Sequence, residues 1–368
     1  LSFLMFFVEL ALIRWTAANN VHLAYITNFV LLASFLGVGV GFLRARAPQD
    51  LFRWAPLGLA TLVAFELVFP VKVVTLSASY PFEGAFGLPA LSQWISLPLI
   101  FGVVVLILAG IGQAMARTFA QFPPLEAYRL DILGSLAGIV LFSLVSFLDL
   151  PPIAWGAVAA IGFVVLGGRR QRRWQWGAMV AVVILLGVES LSPTDHWSPY
   201  YKITAVQPPG THGVLKVSAN NIRHQTLYPI VTLHKIKFWY FFPYRHLNPG
   251  SLDNVLIVGA GTGNDVGIAL AEGARHVDAV EIDPVLVQLG RQYNPEHAYQ
   301  NPRVTVHIDD GRAFLQNTDE RYNLIIFALP DSLTALAGQS ALRLENYLFT
   351  SQAVQLARAH LAPGGMYT

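Results

Sequence analysis

The chain of 368 residues contains no cysteine, which excludes disulfides, thiolate nucleophiles and cysteine-ligated zinc. Charge is scarce as well: 12% of residues are Asp, Glu, Lys or Arg, against 54% hydrophobic. That is too apolar for a single water-soluble domain. The apolar residues concentrate in the first half, which is the composition of a membrane domain followed by a soluble one. A formal charge of +2, with basic residues localised rather than spread over one face, leaves no footprint for nucleic acid. Acids are missing altogether between Asp195 and Asp253, where Lys202, Lys216, Arg223, Lys235, Lys237 and Arg245 stand unopposed. Four histidines of that stretch, His212, His224, His234 and His246, lack the close spacing of metal ligands, so no metal is expected.

What the first half does contain is a series of apolar runs at 1–13, 21–43, 55–76, 94–116, 128–148, 153–167 and 177–188. Several match the ~20 residues that cross a bilayer, and together they predict an α-helical membrane domain of about seven spans over residues 1–191. Arg44, Arg46 and Arg53, then Arg117 and Arg129, then Arg169, Arg170, Arg172 and Arg173 fall in alternate loops. The positive-inside rule puts those loops in the cytoplasm of a bacterial-type inner membrane, and everything after Leu191 on the other side. Trp174 and Trp176 before the last run, and Trp197 after it, read as belts at opposite interfaces. Glu9, Arg14, Glu66 and Asp131 fall within or at the edge of spans, as ion pairs between helices or as a transport or proton path. Gly37 with Gly41, and Gly134 with Gly138, have the spacing of close helix contacts.

After Trp197 the text turns to short alternating segments, 201–206, 214–217 and 230–233, so residues 192–252 read as a small antiparallel β region. The run Phe238-Trp239-Tyr240-Phe241-Phe242 is core material, a membrane-docking patch or the lining of a substrate mouth. From residue 253 to 368 apolar strands alternate with helices: 255–258, 266–272, 277–282, 284–293, 304–308, 313–316, 324–327 and 351–360. This calls for a parallel sheet covered on both faces, a Rossmann-like α/β domain. Residue 1 is a Leu inside an apolar run and residues 363–368 read as a strand just beginning, so the chain is expected to be part of a longer polypeptide whose last domain is incomplete.

The strongest signal lies at 255–283. Val-Leu-Ile-Val breaks into Gly259-Ala260-Gly261-Thr262-Gly263-Asn264-Asp265, and a second apolar run ends in Glu281-Ile282-Asp283. A strand, glycine turn and helix N-terminus bring backbone N–H groups up to a ligand, and an acid about 20 residues on takes the ribose hydroxyls. The sixth position is Asn264 rather than Gly, so the spacing suits a nucleoside without a pyrophosphate, such as S-adenosylmethionine. The alternative is a purely structural α/β turn.

With Trp197-Ser198-Pro199-Tyr200, the glycine turn, Val280-Glu281-Ile282-Asp283, Asn301-Pro302-Arg303-Val304, Asp309-Asp310-Gly311-Arg312-Ala313-Phe314-Leu315, residues 322–331, Leu348-Phe349 and residues 361–365, the chain resembles the spermidine synthase (polyamine aminopropyltransferase) family, in its multi-spanning membrane branch. The resemblance implies a class I methyltransferase-like fold binding S-adenosylmethionine or its decarboxylated form at Gly259, Gly261, Gly263, Asn264, Glu281, Asp283, Asp310 and Gly311. In it Glu281 holds ribose and Asp310 the adenine amino group. The chain departs from the pattern at Thr262, where the family has an acid, at Tyr200-Tyr201, and at Ala328-Leu329-Pro330-Asp331, where the first carboxylate of Asp-Ser-Ser-Asp is lost. Asp331 remains as the candidate base, with Gln225 and Tyr228 as candidate substrate contacts. Three readings follow: an adenosyl-dependent transferase, a lapsed domain acting as scaffold or accessory subunit of a membrane complex, and a transporter with a sensing domain. A polyamine needs carboxylates around it. The acid-free stretch therefore argues for a neutral or anionic acceptor, or none.

Overall fold

The structure, a computed structural model, describes residues 1–26, 28–73, 82–83, 91–168, 171–247, 252–328 and 348–368. Asp331 lies outside the described residues, as do Leu329, Pro330, Arg169 and Arg170. The chain forms two compact units, Leu1–Ile203 with Ala219–Ile222, and Thr204–Ser218 with Arg223–Thr368.

The first unit is built of helices α1 (Ser2–Asn19), α2 (Val21–Tyr25), α3 (Phe29–Leu43) and α4 (Ala55–Val68), a short antiparallel pair β1 (Lys72–Val73) and β2 (Phe82–Glu83), then α5 (Gln93–Phe119), α6 (Pro124–Phe147), α7 (Pro152–Gly167) and α8 (Arg173–Ser190). Each apolar run of the sequence supplies one long helix. Among the described residues three of them, Ser2–Asn19, Gln93–Phe119 and Pro124–Phe147, are long and apolar enough to cross a membrane, against the about seven spans that the apolar runs predict. The shortfall has local causes. Asn20 separates α1 from α2, its backbone extended and its side chain accepting from the His22 N–H at 3.1 Å, and the run 21–43 gives the two helices α2 and α3 rather than one. The run 55–76 stops at Val68, since Pro70 disfavours a helical residue before it.

Packing follows the small residues. A Cβ on Gly37 would stand 2.7 Å from the Val105 carbonyl and one on Gly41 2.5 Å from that of Ala109, so α3 and α5 touch backbone to backbone. Gly138 does the same for α6 against α1, where a Cβ would meet the Phe3 carbonyl at 2.5 Å. The charges are mostly spoken for. Asp131 accepts from Ser2 Oγ at 2.5 Å. Arg14 donates to the Ser198 carbonyl and lies over Trp155, 4.9 Å from the ring centre, and over Trp197 at 5.9 Å. Trp197 is only 6% exposed and packs edge-on against Trp155, so it does not form the interfacial belt that its position suggests. Glu66 is fully buried, and its carboxylate oxygens have no hydrogen-bond partner among the described residues.

Next come strands β3 (Asp195–Trp197), β4 (Lys202–Val206), β5 (Leu215–Ala219) and β6 (Ile222–Leu227), forming one four-stranded sheet in that order. At the start of β4, Lys202 Nζ donates to Glu189 at 2.7 Å and to Asn19 at 3.0 Å and lies 3.4 Å from Asp195, while Trp15 Nε1 donates to the other Glu189 oxygen at 2.7 Å. Residues 230–233, expected to be a strand, are instead the first turn of α9 (Ile230–Ile236). Pro229 fixes the entry to that helix at its N-cap, which overrides the β preference of Ile-Val-Thr.

The second unit continues with β7 (Asn254–Val258), α10 (Asn264–Ala271), β8 (His276–Glu281), α11 (Pro284–Tyr293), β9 (Val304–Ile308), α12 (Gly311–Asn317), β10 (Tyr322–Phe327), α13 (Ser351–Ala359) and β11 (Leu361–Tyr367). The five strands make an all-parallel sheet ordered β11-β10-β7-β8-β9. One face packs Val255, Ile257, Val277 and Ala279 under α9, α10 and α11; the other packs Leu256, Val258 and Val280 under α12 and α13. The chain reverses its direction of travel across the sheet between β7 and β10, and the crevice of such a sheet opens at the carboxyl ends of the strands there.

Candidate nucleoside site

Val258 passes into a turn in which Gly259, Gly261 and Gly263 have φ of 78°, 56° and 90°, a region that side chains rarely adopt. The turn is held from below and from both sides. Tyr299 donates its hydroxyl to the Gly261 carbonyl at 2.7 Å and Asn294 its amide to the Thr262 carbonyl at 3.1 Å. Neither residue is marked by the sequence pattern; Asn294-Pro295, which ends α11, is the only local hint.

At the end of β8 the Glu281 carboxylate turns onto this loop. It accepts from the Gly261 N–H at 2.7 Å and from the Asp283 N–H at 3.0 Å, and is 6% exposed. Asp283 itself caps α11, accepting from Val285 N–H at 2.9 Å. Asp310 caps α12 with bonds of 2.9 Å from the Arg312 and Ala313 N–H groups, and Asp309 N–H donates to the Glu281 carbonyl at 3.2 Å, which brings the β9 loop beside Glu281. Gly311 has no space for a side chain: a Cβ would stand 2.3 Å from Val258 Cγ1. Ala328 N–H donates to the Val258 carbonyl at 2.9 Å, so the position where the family pattern carries a carboxylate borders the glycine turn and is apolar.

The expectation of free N–H groups in the turn is not met. Gly259 and Ala260 donate to the Val280 carbonyl, Gly261 to Glu281, Gly263 to the Ala260 carbonyl, and Thr262 to Gln225 Oε1 at 3.0 Å. Gln225, on β6, lies so close over the turn that a Cβ on Gly261 would meet its oxygen at 2.4 Å. Asn264 spends its amide on the Thr226 carbonyl at 2.9 Å and its oxygen on the Tyr228 N–H at 3.5 Å, tying the turn to β6. The Tyr228 ring has the Lys237 ammonium 5.9 Å from its centre. One polar atom of the turn is left over: Thr262 Oγ1 is buried with no hydrogen-bond partner among the described residues.

Burial raises the Glu281 carboxyl to about 7, outweighing the N–H donors that favour its anion. Burial raises Asp265 to about 6, with Lys237 pulling the other way. The folded Glu281 thus holds its proton more tightly than the ordinary 4.5 of the unfolded chain, so its contribution to stability falls as pH rises from 4.5 to 7, by at most about 3 kcal/mol. Accepting two ribose hydroxyls requires the anion. A ribose-bearing ligand held by this carboxyl is therefore expected to bind more tightly as pH climbs from 6 to 8 and to level off above, and equilibrium dialysis across that range, with Glu281→Gln as the pH-insensitive comparison, checks it.

The opposite face of the sheet holds a polar group that the sequence reading passed over. Asp278, buried, accepts from the Tyr322 hydroxyl at 3.0 Å and lies 2.9 Å from His307 Nε2 and 3.3 Å from His276 Nε2. The strand alternation that aims Glu281 at the turn aims Asp278 away from it.

A parallel sheet with a glycine turn after one strand and a buried acid ending the next defines a Rossmann-like α/β domain. Residues 245–368 match the spermine/spermidine synthase domain, which supports the resemblance to the spermidine synthase family over that part of the chain. The chain is 36% identical over 88 residues to the polyamine aminopropyltransferase of Alkaliphilus metalliredigens, covering 23% of this chain and 31% of that one. It is 36% identical over 126 residues to that of Klebsiella pneumoniae, covering 32% and 40%. The chain thus spans between 31% and 40% of the length of these relatives. Polyamine aminopropyltransferase 1 of Streptomyces coelicolor aligns over 378 residues at 25% identity, covering 92% of this chain and 68% of that one. Among solved structures, the spermidine synthase of Thermotoga maritima overlaps 47% of this chain and 54% of its own at 19% identity, with a TM-score of 0.36.

Proposed function

We propose that this is an integral membrane protein whose soluble domain binds an adenosyl nucleoside of the S-adenosylmethionine type, and that it does not build polyamines. The observation that carries the reading is the Glu281 carboxylate, buried on the glycine turn beside the orphaned Thr262 hydroxyl. These residues fit the nucleoside half of such a ligand. Glu281 would take the ribose hydroxyls, Thr262 Oγ1 would find its missing partner, and Asp310 at the mouth of β9 would stand by the base. A bound sulfonium supplies an activated alkyl group for transfer to a nucleophile.

The acceptor side does not fit a polyamine. A cationic amine needs carboxylates to hold it and to take its proton, whereas Ala328 lines that border and residues 196–252 hold no Asp or Glu. Incubated with putrescine and decarboxylated S-adenosylmethionine, the full-length protein is expected to transfer no aminopropyl group; turnover that Asp331→Asn abolishes would overturn this.

A second reading, a lapsed transferase domain serving as accessory subunit of a membrane complex, is favoured by Gln225, which covers the Thr262 N–H. Gln225→Ala separates the two. If Gln225 is a plug over a working pocket, its removal raises adenosyl affinity; if the pocket has lapsed, binding stays absent. We place the soluble domain outside the cytoplasm, from the alternation of arginine-rich loops. A reporter enzyme fused after residue 200 tests that side.

A further inference from the structure

Three aromatic rings of the second unit are turned to solvent in a row. Phe238, Trp239 and Phe242 are 60%, 52% and 56% exposed, beside Tyr244 and Phe241 of the same turns, which are buried. They are brought together by two consecutive 3-10 turns, Phe238–Phe241 and Pro243–His246. In a 3-10 turn side chains three apart eclipse one another. The bonds from Phe242 N–H to the Trp239 carbonyl at 3.1 Å and from Arg245 N–H to the Phe242 carbonyl at 3.2 Å set Trp239, Phe242 and Arg245 in one file. Phe238 packs edge-on against Trp239, ring centres 5.6 Å apart. Exposed Lys235 precedes the row, and exposed Arg245 ends it.

Exposed aromatics cost solubility unless something covers them. We propose that this row is an interfacial anchor, which seats the second unit on an anionic phospholipid surface. Two features select that occupant. The charge of the segment itself is complementary and of one sign, for residues 196–252 hold no Asp or Glu and exposed Lys235 and Arg245 flank the rings, while Asp265 of α10 and Glu272 at its end are the acids near Tyr244. Tryptophan and phenylalanine tipped with Lys and Arg are also the composition of surfaces that lie in the headgroup layer, rings in the acyl boundary and cations at the phosphates. The same chain carries helices able to cross a bilayer, so that surface is tethered within reach. The proposal rests on the membrane reading of the first unit and not on the nucleoside site.

The test uses the absence of cysteine. Phe238→Cys, Trp239→Cys and Phe242→Cys, each spin-labelled in the full chain, are placed in nanodiscs of phosphatidylglycerol or of phosphatidylcholine, with Gln316→Cys as an aqueous reference and Leu106→Cys, on the exposed side of α5, as a lipid reference. The ratio of collisions with oxygen to collisions with a water-soluble nickel chelate should be several-fold higher at the three patch sites than at residue 316 in phosphatidylglycerol. It should fall to the aqueous value in phosphatidylcholine, or when Lys235→Glu and Arg245→Glu are combined. An aqueous ratio at the patch in phosphatidylglycerol overturns the anchor alone. Shielding that ignores lipid charge assigns the row to a protein partner or second copy and also overturns it. An aqueous ratio at residue 106 removes the membrane reading and the anchor with it.

Discussion

Replacing Glu281 with Ala will strip the full-length protein of its adenosyl-nucleoside affinity, by roughly 30- to 1,000-fold, the equivalent of about 2 to 4 kcal/mol for charge-assisted bonds to two hydroxyls. The expectation follows from geometry. The carboxylate is the acid of the strand next to the glycine turn, held on it by the Gly261 and Asp283 N–H groups. Glu281→Gln keeps an oxygen for Gly261 but replaces the other acceptor with an amide. It should fall between wild type and Ala, and with an unchanged melting transition it shows that the loss is one of recognition. Binding that survives both substitutions would mean the ribose is held elsewhere.

The second large effect is on stability. Lys202→Met should destabilise the protein by about 3 to 5 kcal/mol, because it leaves the Glu189 carboxylate buried with Trp15 Nε1 as its remaining donor. Removing both charges, Lys202→Met with Glu189→Leu, should recover most of that loss, since a well-packed apolar pair escapes the desolvation cost. Denaturation in mixed micelles by added dodecyl sulfate measures both. A single variant as stable as wild type would show that water or lipid headgroups reach the pair.

Much of this architecture was legible in the residues. The apolar runs became helices, the glycine spacing at Gly37 and Gly41 marked a close contact between α3 and α5, and the alternation after residue 253 forecast the parallel sheet. The glycine turn and Glu281 also met as their spacing implied. The misses share a cause: they depend on partners distant in the chain or on a single punctuating residue. The run 21–43 reads as one span but forms α2 and α3, and Pro229 opens a helix where Ile-Val-Thr reads as strand. Trp197 looks interfacial until Trp155 and Arg14 are set against it. Asn294 and Tyr299 hold the turn from 30 or more residues away, and no periodicity announces them.

The most direct measurement is calorimetry on the full-length protein at pH 8, titrating S-adenosylmethionine, its decarboxylated form and methylthioadenosine, and separately putrescine and spermidine. The expected result is saturable micromolar binding of an adenosyl ligand that Glu281→Ala removes, and no heat of binding from either polyamine. A polyamine that binds, or a wild-type protein that binds none of the three nucleosides, would contradict a surviving nucleoside cleft stripped of its polyamine charges.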